Sequence, residues 1–324
     1  MKAWRVHQWG EPETMSLEDV AVPEPGPGQV RIKVHAVGLN FFDILQVQGK
    51  YQVKPPFPFT PGAEVAGTVD AIGPGATDLA AGDAVLSMTH GGAMAEYAIG
   101  PAAMTFPAPE GMDHATAAAI PVVYQTSYFA LKDRAALQHG EWLLVHAGAS
   151  GVGISAIQLG RAWGARVIAT AGSKEKLEFA KAHGAEWVID YNDATWVDQV
   201  KQLTGGRGAD VIYDPVGGDV FDLSTKCIAL GGRLLVIGFA GGRIPSIAAN
   251  RILLKNISIV GALWGGQAAA NPAYVVKTQR ALTDLFQRGE LHPPEPVKYP
   301  LDAAPLALRD LAQRKILWKA VLVL

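Results

Sequence analysis

The residues Gly148-Ala149-Ser150-Gly151-Val152-Gly153 follow an apolar run, Trp142–Ala147. They lead into a stripe of Val152, Ala156, Leu159 and Trp163 at steps of four, three and four. A strand, a tight glycine turn and the start of a helix leave unpaired backbone N–H groups and a positive dipole end facing one spot, which is chemistry suited to a pyrophosphate. A glycine cluster alone also describes an ordinary βα turn, and the spacing is G-x-x-G-x-G rather than G-x-G-x-x-G. The surrounding βαβ pattern favours a dinucleotide. Ser150 stands where the middle glycine would be, so the backbone approach must be wider there or use the hydroxyl as a donor. The second strand ends Ala171-Gly172-Ser173-Lys174-Glu175-Lys176. A carboxylate at that tip would bind a ribose 2′-hydroxyl and repel a 2′-phosphate, whereas the hydroxyl and two ammonium groups suit NADPH. The alternative is that Ser173 caps the following helix and the lysines are solvated.

These residues need a scaffold, and the chain reads as three segments. To about residue 121, short strands are broken by turns: Val30, Ile32, Val34 and Ala36 alternate with Arg31, Lys33 and His35 after Pro25-Gly26-Pro27-Gly28, and further runs lie at 65–72 and 84–88. From 122 to 264 the rhythm is strand, helix, strand, with strands expected at 142–147, 166–171, 187–191, 209–213, 233–239 and 257–263. Runs such as Leu234-Leu235-Val236-Ile237 suit parallel strands covered on both faces. Residues 272–291 read as one helix and 316–324 as a terminal strand returning to the first segment. Cys227 reads as part of a helix-like stretch running to Leu230.

The composition narrows the function further. The chain of 324 residues is 49% hydrophobic and 18% charged, against a usual charged share of about 25%, which excludes bulk disorder. Lys and Arg number 28 and Asp and Glu 30, for a net charge of −2, so no basic excess supports nucleic-acid binding. The single cysteine, Cys227, cannot supply an internal disulfide or the paired thiolates of a structural zinc site, which suits a reducing compartment. None of the eight histidines forms a close His/Glu or His/Cys pair at helix spacing. The start lacks the apolar core of a signal peptide, and no apolar run approaches the ~20 residues that span a bilayer. A soluble cytoplasmic protein without a membrane or nucleic-acid partner is expected.

The glycine turn, together with His35-Ala36-Val37-Gly38-Leu39-Asn40-Phe41-Phe42-Asp43 and Pro61-Gly62-Ala63-Glu64-Val65-Ala66-Gly67, resembles the medium-chain dehydrogenase/reductase superfamily. Within it the chain is similar to the zinc-free quinone oxidoreductase (zeta-crystallin-like) branch. The likeness extends through Asp214-Pro215-Val216-Gly217-Gly218, Gly238-Phe239-Ala240-Gly241-Gly242-Arg243 and Lys319-Ala320-Val321-Leu322. It implies an α/β chain: a GroES-like β-rich catalytic domain of residues 1–121 and 265–324, interrupted by a Rossmann NADPH-binding domain of residues 122–264 with a doubly wound parallel six-stranded sheet. The active site would lie in the cleft between them.

The resemblance also implies roles. Where the family's zinc alcohol dehydrogenases hold a cysteine and a histidine, this sequence has Asn40 and Ala63, and neither side chain replaces a zinc ligand. Without a Lewis acid the expected chemistry is hydride donation from NADPH to an electrophile already activated, a quinone or an α,β-unsaturated carbonyl. Asn40 could hydrogen-bond the acceptor oxygen. Tyr51, in a context similar to that of the enoyl-thioester reductases, is either a proton donor or a ring packed in the wall. Expected cofactor contacts are Thr126, Gly148, Ala149, Ser150, Gly151, Val152, Ser173, Lys176, Tyr191, Gly238, Phe239, Leu263, Trp264 and Lys319, with simple strand-end packing as the alternative for those outside the turn. Tyr124-Gln125 and Trp318 depart from the usual pattern and would add bulk near the cleft. A homodimer joined near residues 257–263 is implied by kinship. The rival functions are an enoyl-thioester reductase and a catalytically silent nucleotide-binding or structural protein.

Overall fold

A computed structural model describes residues 1–76 and 78–324. They fall into two compact units, one of Met1–Val122, Asn271–Thr283 and Pro294–Leu324, the other of Val123–Ala270 and Asp284–Pro293. The first unit opens with an antiparallel ribbon, β1 (Lys2–Arg5) and β2 (Ser16–Asp19). The long strand β3 (Gln29–Gly38) follows. Its alternate residues Val30, Ile32, Val34 and Ala36 are buried while Lys33 is exposed, as the period of two requires. After β3 come α1 (Phe41–Val47), β4 (Glu64–Ile72), β5 (Ala84–Met88), β6 (Tyr97–Pro101), β7 (Thr105–Pro107) and α2 (His114–Ala119).

The helix α3 (Pro121–Tyr128) and a π-helical turn, Phe129–Arg134, lead into the second unit. There the chain alternates through β8 (Trp142–Val145), α4 (Gly151–Ala162), β9 (Arg166–Ala171), α5 (Lys174–Ala182), β10 (Trp187–Asp190) and α6 (Trp196–Leu203). It continues through β11 (Ala209–Asp214), α7 (Gly218–Cys227), β12 (Ile228–Val236), α8 (Ala249–Lys255), β13 (Ser258–Gly261) and α9 (Trp264–Ala270). All six strands are parallel, in the order β10-β9-β8-β11-β12-β13. That is the doubly wound arrangement, and it brings the ends of β8 and β11 to the point where the strand order reverses. Strand ends differ from expectation by a few residues, most at the start of β12. Ile228-Ala229-Leu230 is not the end of a helix: Ile228 already pairs with Ala209, and an irregularity follows before Arg233 pairs with Val211. The bulge lets one strand absorb Gly231-Gly232.

The tail supplies α10 (Pro272–Gln287), β14 (Val297–Pro300), α11 (Ala304–Ala312) and β15 (Ala320–Val323). The helix stops short of Leu291 because Gly289 takes φ +67°, where a left-handed residue ends a helix. β15 runs antiparallel to β3, with Val321 opposite Gly38, and β14 lies parallel to β15. The first unit's sheet thus has the order β14-β15-β3-β4-β5-β7, with β6 also paired to β3. No helix among the described residues is long and apolar enough to cross a membrane.

Candidate active site

Asn40 caps α1 at the end of β3, in extended conformation. Its backbone N–H donates to Asp43 Oδ2 at 2.7 Å, so the carboxylate of the first turn folds back onto the cap. The carboxamide is held at both ends: Nδ2 donates to Glu64 Oε1 at 2.7 Å, and Oδ1 accepts from Lys319 Nζ at 2.8 Å. Lys319 also donates to Glu64 Oε1 at 2.6 Å and to the Leu39 carbonyl at 2.7 Å. Glu64 is fully buried and its Oε2 accepts the Val122 N–H at 2.8 Å. Every ammonium hydrogen of Lys319 is therefore engaged inside the first unit, linking Asn40 to Glu64. Gly38 lets the strand pass this cluster, because a Cβ there would lie 2.2 Å from the Ala118 carbonyl oxygen and 2.6 Å from Glu64 Oε1.

Beside it, Asp43 is fully buried, and its Oδ1 has no hydrogen-bond partner among the described residues. Burial pushes this carboxyl up to about 7 against the pull of the Asn40 N–H and the Lys319 ammonium, with Glu64 adding to the rise. Tyr51 stacks on Phe42, with ring centroids 5.5 Å apart. Burial first, and the charge of Asp43 second, raise its phenol above the ordinary value, so it keeps its proton at neutral pH. Glu64 and Asp43 carry no role in the sequence reading. An acid opening the otherwise small and apolar run Glu64-Val65-Ala66-Gly67 was the available signal for the first.

In the second unit, the turn after β8 has the geometry of an anion cradle. Ser150 caps α4: its Oγ accepts the Gly153 N–H at 3.1 Å and donates to the Ala147 carbonyl at 2.7 Å. The Ser150 N–H also bonds Ala147, at 2.9 Å. The hydroxyl thus closes the turn itself instead of serving as an outward donor. The N–H groups of Gly151 and Val152 have no acceptor among the described residues and stand at the positive end of a twelve-residue helix. Gly148 and Ala149 are buried in the turn. Gly153 cannot carry a side chain, since a Cβ there would sit 2.2 Å from the Ala147 oxygen.

At the tip of β9, Ser173 caps α5 with a long 3.4 Å bond from the Lys176 N–H, Lys174 faces Glu178 at 3.8 Å, and Lys176 is half-buried. The Tyr191 ring lies over Gly172, next to Ser173. Asp214 at the end of β11 accepts from the N–H groups of Val216 and Gly217, which shapes the loop opposite Gly238 and Phe239. Phe239 and Leu263 are exposed, and Trp264 and Thr126 are half-buried. Of the residues expected to add bulk, Tyr124 is fully buried, donates to Gln158 Oε1 at 2.8 Å and meets Phe286 edge-on, while Trp318 is 2% exposed. A buried phenol needs a partner for its hydroxyl, and Gln158 supplies it.

The donors around Asn40 do not fit a catalytic zinc. They comprise the Glu64 carboxylate, already paired with an ammonium at 2.6 Å, the Asp43 carboxyl, which burial pushes up to about 7, and a carboxamide, with no thiolate or imidazole among them. Among the described residues no group of three or more His, Cys, Asp and Glu side chains is placed to hold a metal ion.

Two family models match the chain: the alcohol dehydrogenase GroES-like domain over residues 26–110 and the zinc-binding dehydrogenase over residues 151–278. The chain is 41% identical to quinone oxidoreductase-like protein 2 homolog of Nematostella vectensis over 300 residues, covering 92% of this chain and 82% of that one. It is similar in structure to the quinone oxidoreductase of Thermus thermophilus, solved also as its complex with NADPH, with a TM-score of 0.87, 34% identity and full coverage of both chains. It also resembles the CurK enoyl reductase, with a TM-score of 0.90, 25% identity and coverage of 99% and 98%. Identity sustained over nine-tenths of the length, on both sides of an inserted parallel sheet, goes beyond a shared fold: the chain belongs to the medium-chain dehydrogenase/reductase superfamily, in its quinone oxidoreductase branch.

Proposed function

We propose that this oxidoreductase is an NADPH-dependent, zinc-independent quinone reductase, with residues 122–264 as its cofactor domain and residues 1–121 and 265–324 as its catalytic domain. When bound, NADPH supplies a hydride from C4 of its nicotinamide. The Gly148–Val152 turn binds the pyrophosphate through the open Gly151 and Val152 N–H groups. Ser173 and Lys176 receive the 2′-phosphate, and Tyr191 lies along the adenosine. Thr126, Gly238, Phe239, Leu263 and Trp264 line the nicotinamide end, and Lys319 serves that end through Asn40. The observation that carries the reading is the fixed carboxamide of Asn40, a neutral N–H donor on the residue that replaces a zinc ligand. A quinone needs no stronger electrophile, because its negative charge spreads onto an oxygen that one hydrogen bond can stabilise.

Tyr51 donates the proton that an enone requires. A reduced quinone takes its proton from water as readily, so Tyr51→Phe should lower enone turnover by about 10²-fold, leave NADPH affinity unchanged and spare much of the benzoquinone rate. The similarity to an enoyl reductase favours a second reading, an enoyl-thioester reductase. Parallel assays of NADPH oxidation with 1,4-benzoquinone and crotonyl thioester decide between them: faster turnover of the thioester would replace the quinone reading, and saturable NADPH binding without turnover of either would overturn both. We further propose a cytoplasmic homodimer joined at the β13 edge, a reading supported by exposed Leu253, Leu254 and Leu263. A monomeric mass by light scattering would remove the dimer.

A further inference from the structure

The four-residue cluster of Asn40, Asp43, Glu64 and Lys319 does more than fill the first unit. An asparagine carboxamide has two nearly equivalent orientations, related by a half-turn that exchanges its oxygen and nitrogen. At Asn40 the two partners are not equivalent. Only an oxygen can accept from the Lys319 ammonium at 2.8 Å, and only the NH2 group can donate to Glu64 Oε1 at 2.7 Å. The flipped form would set NH2 against ammonium and oxygen against carboxylate, in a place where Glu64 is fully buried and Lys319 3% exposed, so neither clash is relieved by water. The held form leaves one Nδ2–H without an acceptor among the described residues, and Asn40 itself is 8% exposed. The flipped form would put a lone pair where that donor stands.

We infer that Glu64 and Lys319 are positioning residues for the reaction: the ion pair locks the Asn40 carboxamide with its free N–H as a donor to the acceptor's carbonyl oxygen. This rests on the role proposed above for Asn40. The ammonium has a second effect, since a positive charge on Oδ1 draws electron density from the amide nitrogen and strengthens the remaining N–H as a donor. The pair is an unusual choice on stability grounds. Two apolar residues of similar volume commonly hold a core as well as a buried ion pair, whereas removing one partner strands a charge. Retaining both charges makes sense where a third group must be oriented.

The test uses the full chain with NADPH and 1,4-benzoquinone, in the variants Lys319→Met, Glu64→Gln and the double Glu64→Leu/Lys319→Met. Melting temperature, NADPH dissociation constant, kcat and KM are read for each. Lys319→Met should lose about 10²-fold in kcat with the NADPH constant within twofold of the parent, and it should melt lower because Glu64 is left unpaired. Glu64→Gln keeps an acceptor for Nδ2–H and should stay within about tenfold of the parent kcat. The double variant decides the matter: its melting temperature should recover while its kcat stays low. If kcat recovers with the fold, the pair is structural only and the inference is overturned. A rise in the NADPH constant in step with the loss of kcat would place Lys319 in the cofactor site and overturn it as well. Selective 15N labelling of asparagine supplies a readout independent of turnover: the Asn40 NH2 should show one exchange-protected proton in the parent and none in the double variant. A loose amide in an active parent sinks the inference alone. A locked amide in a parent that reduces neither quinone nor enone sinks the functional reading, and the positioning role with it.

Discussion

Lys176, half-buried at the third position of α5, is the side chain on which cofactor choice turns under the proposed reading. A charge-assisted hydrogen bond to a 2′-phosphate is worth about 1.5–3 kcal/mol, so Lys176→Ala should weaken NADPH binding by roughly 10- to 150-fold and leave NADH nearly unchanged. Titration of both cofactors by fluorescence checks it. Equal weakening of the two would assign Lys176 to the fold or to the pyrophosphate, and no change would make it a surface charge. Lys174 is the weaker candidate because it is 90% exposed and faces Glu178. Single residues were unevenly legible in the sequence. Ser173 could be read as a cap because capping is a local pattern, and the cap at Ser150 was hidden behind its place in the glycine turn, whereas the meeting of Glu64 and Lys319 spans 255 residues and leaves no periodic trace.

For the elements, the joint between β8 and α4 is the sharpest. The helix starts so close to the strand that a methyl at Gly153 would overlap the Ala147 carbonyl and press on the Gly148 backbone at 2.9 Å. Gly153→Ala should therefore push α4 off the turn, costing about 1–3 kcal/mol of stability and spoiling the alignment of the Gly151 and Val152 N–H groups. Calorimetry together with NADPH titration reads both effects, and an unchanged melt with unchanged binding would mean the turn relaxes freely. Elements of this kind were visible in the sequence because continuous apolar strands and helix stripes are short-range signals. The irregular ones were not: β12 hides a bulge behind Gly231-Gly232, and β14 is a four-residue edge strand with a proline. Both exist through pairing with distant partners, which overrides local preference.

Across the whole molecule, two buried groups set opposite responses to pH. His146 lies in the core of the second unit between the Thr170 and Ser224 hydroxyls, and burial lowers its pKa from 6.5 to about 3. An unfolded chain takes up a proton below pH 6.5 that this core refuses, so the stability it contributes is complete above 6.5 and drains as pH falls toward 3. Asp43 in the first unit, raised from 3.8 to about 7, acts the other way. The folded chain keeps a proton that the unfolded chain releases, so stability declines as pH rises between those values and stays lowered above them. Asp43→Asn mimics the protonated acid. Its melting temperature should come closest to the parent's near pH 3, below the unfolded carboxyl's 3.8, and exceed it by about 5 °C or more at pH 8–9, measured by calorimetry. A gap that does not vary with pH would show that Asp43 ionises in the ordinary range. The lock on Asn40 also has a consequence for how the molecule comes into being. Asn40 and Lys319 lie 279 residues apart. At about 5–20 residues per second a ribosome makes the amide roughly 15–60 s before the ammonium that orients it. Through that interval Glu64 has no counter-charge, and β3 lacks its β15 neighbour. The reactive corner thus stays unassembled until the chain has been made past Lys319, and until then nothing sets the orientation of the Asn40 amide.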